Sequence, residues 1–319
     1  MSRAVRVLSV VVATVSFGAA AGTPGPVATA FALQSAAPPT RARPERAATL
    51  PFVSPDGKHI VYTRDLPDQS ADLMVIDASG GPARLLVHDP SGSVLGEWAM
   101  RGRQVAYVIS AGDTTSLHRV PVEGGTPVRM LRLQGKSLRL SNDGRRIAYS
   151  VGAWTRGRVV VANADGSRAR AITDSTAGWF NAAWSPDDRR IAITRLDPTG
   201  ALEVWVLDAY GSHARALASF PDSVGRAQWP TWSPDGKRVA VQVGRYDRND
   251  HSRDRADIWV VDVATGRATN LTPGDEAWLD ETPSWSPDGR TIVFQSTRSG
   301  RFEVWRMNAD GSSSVQLSR

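Results

Sequence analysis

One five-residue turn recurs six times along this chain, and that recurrence constrains its fold more than any other feature. Trp-Ser-Pro-Asp-Gly stands at Trp232 to Gly236 and again at Trp285 to Gly289. It fades to Trp184-Ser185-Pro186-Asp187-Asp188, Val53-Ser54-Pro55-Asp56-Gly57 and Leu140-Ser141-Asn142-Asp143-Gly144. Only the ends survive at Trp98-Ala99-Met100-Arg101-Gly102. The copies end at residues 57, 102, 144, 188, 236 and 289, in steps of 45, 42, 44, 48 and 53 residues. Steps of that size suit one four-stranded propeller blade per repeat.

The turn has a physical logic. Ser accepts a backbone hydrogen bond at the first position, Pro pre-sets φ at the second, Asp tolerates the third, and Gly supplies the freedom to re-enter a strand. An apolar residue precedes each turn. An alternating β-rich run follows it, as in Ile60-Val61-Tyr62 and Val239-Ala240-Val241, so each motif is a hairpin from strand A to strand B. A second register, including Trp205-Val206-Leu207-Asp208, Trp259-Val260-Val261-Asp262 and Trp305-Arg306-Met307-Asn308, reads as strand C. A Gly-containing turn and a short strand D follow each time. Four strands repeated six times predict an all-β fold, a six-bladed propeller of four-stranded antiparallel blades.

The Trp-Ser-Pro-Asp-Gly turn, with Asp-Gly or Gly-Gly about 20 residues later, resembles the WD40-like (PD40) repeats of the TolB-type β-propeller. The resemblance covers Leu50 to Arg319, without the α/β domain that precedes the propeller in TolB. It implies a place in envelope complexes and a protein partner, as TolB has in a peptidoglycan-associated lipoprotein. Propellers serve many unrelated functions, so the resemblance speaks more to fold than to function.

The N-terminus reads as a targeting segment. Arg3 and Arg6 precede an apolar run from Val7 to Phe17, and small residues at 19–21 or 28–30 offer a cleavage site. Residues 1–30 are therefore expected to be a signal peptide, residues 31–48 a flexible Pro/Ala/Arg-rich tether, and residues 49–319 the propeller. The apolar run is short of the ~20 residues of a membrane span, so no transmembrane segment is expected after processing. Export through the signal peptide places the protein in the periplasm, outside the cell or on the cell envelope. No Cys is present, which excludes disulfides, thiol catalysis and a lipid-modified cysteine. Residues 1–46 hold five Arg and one Glu, leaving +2 of the total +6 for the remainder. The high pI thus describes the leader, and nucleic acid is not an expected partner.

Strand alternation sorts the loops onto two faces. The A–B and C–D turns are short and uniform; the B–C loops and D–A crossovers are longer and varied, which is where binding residues sit on a rigid scaffold. Seven of the eleven Trp residues occupy the repeat registers and are expected to pack between blades. The other four, Trp154, Trp179, Trp229 and Trp278, all map to the B–C/D–A face, Trp229 being the one best placed to pack. Together with Phe180, the loop of Tyr246, and rim carboxylates Asp280 and Glu281, they form the candidate binding set. This set is expected nearer the central opening than the Ser-Pro-Asp-Gly turns. Capping of adjacent blades is the alternative role for the aromatics.

No Gly-x-Ser-x-Gly elbow is present, and the His residues at 59, 88, 118, 213 and 251 show no metal-ligand spacing. The carboxylates at 275, 276, 280 and 281 match no defined calcium loop. No catalytic residue, metal or other cofactor is assigned. The sequence therefore favours a monomeric, non-enzymatic, exported module that binds a protein or peptide at the cell envelope. A carbohydrate-active or hydrolytic propeller using the loop Trp residues as sugar platforms is one alternative. A sensory ectodomain tethered by an uncleaved leader is another.

Overall fold

The computed structural model describes residues 48–90, 94–99, 104–220, 226–246, 254–274 and 278–318. The chain divides into two units, residues 1–39 and 40–319, and every described residue lies in the second. The expected signal peptide, and the tether apart from Ala48, lie outside the described residues, as does most of the loop after Tyr246.

Blade 1 comprises β1 (Thr49–Val53), β2 (His59–Asp65), β3 (Ala71–Asp77) and β4 (Arg84–Asp89). Blade 2 comprises β5 (Val94–Ala99), β6 (Gln104–Ala111), β7 (Thr114–Pro121) and β8 (Val128–Gln134). Blade 3 comprises β9 (Lys136–Leu140), β10 (Arg146–Val151), β11 (Arg158–Asn163) and β12 (Arg170–Ala171). Blade 4 comprises β13 (Gly178–Trp184), β14 (Arg190–Leu196), β15 (Leu202–Asp208) and β16 (Arg215–Ser219). Blade 5 comprises β17 (Arg226–Trp232), β18 (Arg238–Arg245), β19 (Arg255–Asp262) and β20 (Ala268–Asn270). Blade 6 comprises β21 (Asp280–Trp285), β22 (Thr291–Ser296), β23 (Glu303–Asn308) and β24 (Val315–Gln316). Each blade is one sheet of four strands in sequence order, paired antiparallel throughout. The protein is a six-bladed β-propeller.

The Ser-Pro-Asp-Gly turns form as their chemistry demands. In blade 5, Gly236 N–H donates to Ser233 O at 2.9 Å, and Ser233 Oγ accepts from Arg238 N–H at 2.9 Å while donating to Asp235 at 2.6 Å. Gly236 has φ 66° and Gly289 φ 68°, the left-handed region that a Cβ disfavours.

The hydrophobic core lies between blades. Apolar clusters join neighbouring blades at all six boundaries, for example Ala240, Ile258 and Val260 of blade 5 against Trp285, Ile292 and Phe294 of blade 6. Burial on that scale, at roughly 25 cal/mol per Å² of apolar surface, makes inter-blade packing the main stabilising term. Register tryptophans fasten the blades further. Trp98, Trp184 and Trp232 donate their indole N–H to the carbonyls of Phe52, Arg139 and Ala183 in the preceding blade, at 2.8, 3.4 and 3.1 Å. The first residue of the preceding blade's strand B stacks on the same ring. Arg146, Arg190 and Arg238 lie 4.7, 4.7 and 4.6 Å over Trp184, Trp232 and Trp285, and His59 lies 6.3 Å from Trp98. Where the register residue is aliphatic, Leu140 or Val53, that stacking position holds Gln104 or Thr291.

Among the described residues, no strand is exchanged between the first and last blades. The ring closes through an apolar cluster containing Ile60 and Tyr62 of blade 1 with Val293 and Val304 of blade 6. Hydrogen bonds cross the same seam from Ala48 N–H to Phe302 O, Leu50 N–H to Gln295 Oε1, Val53 N–H to Ser284 Oγ, and Arg306 to Ala78 O.

Candidate functional site

The first strand of every blade is the innermost one. A cavity of about 340 Å³ is walled by the second half of β1, β5, β9, β13, β17 and β21 and by the turns that follow them. It opens on the face carrying the Ser-Pro-Asp-Gly turns, whose prolines Pro55, Pro186, Pro234 and Pro287 form part of its rim. The wall carries Trp98, Trp184, Trp229, Trp232 and Trp285, the hydroxyls of Thr231, Thr282 and Ser284, and Asn142. Arg139 is the one charged group among the described lining residues. Its guanidinium lies 4.7 Å over the Phe52 ring and 5.5 Å over Trp229, so two aromatic faces hold it across the channel.

A shared backbone device shapes this wall. Leu50, Ser137, Asn181, Trp229 and Thr282 each stand three residues before the register position, and each is left-handed, with φ between 50° and 53°. The A–B pairing skips at each of these places, which makes them β-bulges. Strand β5 alone pairs without a break. For Trp229 and the β-branched Thr282 this backbone costs about 1–3 kcal/mol, and such strain persists only where the surroundings enforce it. Here Gln242 Oε1 accepts Thr282 N–H at 3.0 Å, and Gln295 Oε1 accepts Thr282 Oγ1–H at 3.0 Å.

The eight sequence-predicted site residues do not come together. Trp229 lines the channel with Arg139, and is neither a D–A crossover residue nor a blade cap. Trp154, Trp179 and Phe180 line a separate cavity of about 470 Å³ on the opposite face, between blades 2, 3 and 4. Trp179 sits in β13 and not in a crossover. It is buried against Trp205 with ring centroids 5.5 Å apart, and it donates to Asp174 at 3.2 Å. Phe180 is buried as well, in the next position of the same strand.

Tyr246 and Glu281 belong to a polar cluster joining blades 5 and 6. Tyr246 donates to Glu281 Oε1 at 2.5 Å, Gln295 Nε2 donates to Oε2 at 2.8 Å, and Gln242 Nε2 donates to the Tyr246 oxygen at 3.1 Å. Glu281 is thus a buried, doubly bonded carboxylate and not a rim charge. Asp280 is buried too, bound to Arg298 at 2.6 Å. Burial pushes its carboxyl above the ordinary range, and the Arg298 guanidinium opposes that shift. Trp278, about one-third exposed, lies beneath Arg298 at 5.2 Å. Both carboxylates were expected on a loop. They are buried because β21 begins at Asp280, which makes them strand residues.

Loop length ranks the B–C/D–A face above the turn face, yet the channel opens on the turn face. The prolines of the short turns, expected farther from the central opening than the candidate residues, border it instead. A signal for the channel is present in the repeats. The position before the register residue reads Phe52, Glu97, Arg139, Ala183, Thr231 and Ser284, whereas the register residue is Trp in four of the six blades and Ser follows it in five. Variation at one fixed repeat position marks a place that packing does not dictate.

The family profile of the TolB beta propeller domain, PD40, matches residues 146–319, more than half of the chain. The chain belongs to this family. TolB from Acinetobacter baumannii superimposes with a TM-score of 0.66 at 20% identity, over 82% of this chain and 64% of that one. An uncharacterized protein of Agrobacterium fabrum is 34% identical over 130 residues, 40% of each chain. Dipeptidyl-peptidase 5 of Porphyromonas gingivalis is 20% identical over 80% of this chain and 45% of its own length. This PD40 chain thus spans less than half the length of the curated relatives it matches.

Proposed function

We propose that this PD40 propeller is an exported, non-enzymatic binding module whose central channel takes a peptide or loop of a partner protein at the cell envelope. The single observation that carries the proposal is the chemistry of the channel wall. The half-buried Trp98 and Trp229, a rim of Pro rings and the Arg139 guanidinium offer rigid surface at little entropic cost. Trp and Arg are the residues that dominate binding energy in protein interfaces. The cavity volume of 340 Å³ falls within the ~300–1,000 Å³ of pockets that hold a compact group, so an inserted side chain or loop tip fills it. Export rests on the basic and apolar segment from Arg3 to Phe17.

The test is co-purification from the envelope of the native host. Arg139→Ala and Trp229→Ala should each weaken capture of the partner by about 1–3 kcal/mol. Trp154→Ala, on the other face, should leave it unchanged. Equal capture by all three variants, with melting curves matching the parent, would sink the channel proposal.

A further inference from the structure

The cavity on the other face has its own chemistry, independent of the channel. We propose that the space between blades 2, 3 and 4 binds a neutral saccharide, with the Trp154 indole as its platform. Trp154 is 56% exposed. One face of its ring is stacked on Phe180 with centroids 3.9 Å apart and planes 23° apart, which leaves the other face open. An aromatic of this size left uncovered forfeits a large share of its ~150–250 Å² of burial, and a loop with no use for it has no reason to hold it there.

The loop does hold it. Arg156 N–H donates to Ala153 O at 3.1 Å, and Trp179 N–H donates to Gly157 O at 3.2 Å. Beneath the loop, a Cβ on Gly178 would stand 1.9 Å from Trp154 O, and one on Gly157 2.9 Å from Ala153 O. Both contacts are with backbone, so glycine is required at both positions. Trp154 is therefore fixed before any ligand arrives, and the ordering entropy of binding is already reduced.

The rest of the rim decides the ligand class. Lys136 Nζ lies 2.9 Å from Asp113 Oδ1, with side chains 58% and 89% exposed, an ion pair that adds little to stability. With Gln134 and Ser137 it supplies carboxylate, ammonium, amide and hydroxyl around one cavity. Hydroxyls on a pyranose ring each need a donor and an acceptor, and this rim offers both. The ring's C–H face carries the partial positive charge that the negative face of an indole attracts. The paired rim charges cancel, which favours a neutral sugar over an acidic or basic one. A volume of about 470 Å³ accommodates a short saccharide.

The full chain, after processing in its host, would be titrated with maltotriose, cellotriose and triacetylchitotriose, followed by saturation-transfer NMR and indole fluorescence. At least one sugar should bind saturably, with transfer strongest to its ring C–H protons. Trp154→Ala should weaken that binding by about tenfold. Gln134→Ala should weaken it while leaving both the indole signal and the melting temperature in place. Saturable binding of none of the three sugars overturns the proposal. So does binding that survives Trp154→Ala, or a proline-rich peptide that saturates the site where the sugars do not.

Discussion

Asn142 and Asp188, in the turns of blades 3 and 4, are bonded to each other across the blade boundary. Asp188 Oδ1 accepts from Asn142 N–H at 2.9 Å and from Asn142 Nδ2 at 2.8 Å, and Oδ2 accepts from Asp143 N–H at 2.9 Å. These two residues are the departures of their turns from the repeat, Asn replacing Pro and Asp replacing Gly. In the consensus turns Pro of one blade faces Gly of the next. A Cβ on Gly236 would lie 3.9 Å from Pro186 Cδ, and one on Gly289 3.7 Å from Pro234 Cδ. Proline has no N–H to give, so a carboxylate at the Gly position has its backbone partner only when Pro is absent. The carboxylate also holds Asp188 in the left-handed region, at φ 56°.

That pairing predicts strong coupling. Asp188→Gly alone should cost about 1–3 kcal/mol, since two backbone donors lose a charged acceptor. Asn142→Pro alone should also destabilise, because Asp188 keeps its charge and loses two of its donors. The double variant restores the consensus contact and should recover much of the loss. Urea unfolding of the four proteins should give an interaction energy of about 1 kcal/mol or more; simple additivity would show the pairing to be incidental.

A second contrast separates two tryptophans in the same register. Trp232 Nε1–H donates to Ala183 O, whereas Trp285 Nε1 is buried with no hydrogen-bond partner among the described residues. Both rings carry an Arg from the preceding blade. Replacement by Phe removes similar ring volume at both sites but breaks a hydrogen bond only at Trp232. Trp232→Phe should therefore lose about 1 kcal/mol more than Trp285→Phe in chemical denaturation. Equal losses would mean that the inter-blade indole bond contributes nothing.

Acid should weaken the ring through its turns. The carboxyls of Asp56, Asp187, Asp235 and Asp288 are held below their ordinary value of 3.8, first by the hydroxyl of the Ser two residues before each. A folded value below the unfolded one contributes stability above pH 3.8, and that contribution is lost as pH falls through the lowered values. Buried Asp280 has the opposite sign, its raised value costing stability as pH climbs past 3.8. Melting temperatures from about pH 5 down to about pH 2 should therefore fall. Changing the four turn Asp residues to Asn should flatten that slope, and a slope that persists would place the acid sensitivity elsewhere.

The sequence alone determined the blade count, the strand order and the turn chemistry. All three are local: a Ser-Pro-Asp-Gly turn selects its own backbone, and alternating apolar residues select strands wherever they fall. Tertiary structure decided which strand faces the axis, and therefore that Arg139, Phe52 and Trp229 share one channel although 177 residues separate Phe52 from Trp229. It also decided that Trp179, Phe180, Asp280 and Glu281 are interior residues. They lie outside the repeat registers, and a bulge displaces the A–B pairing just after each pair, so no periodic pattern marked them. Asn142 and Asp188 show the boundary between the two kinds of information. Each is visible in the sequence as a broken motif, but only the ring brings the two breaks into contact, because blades touch across a distance that local backbone preference does not encode.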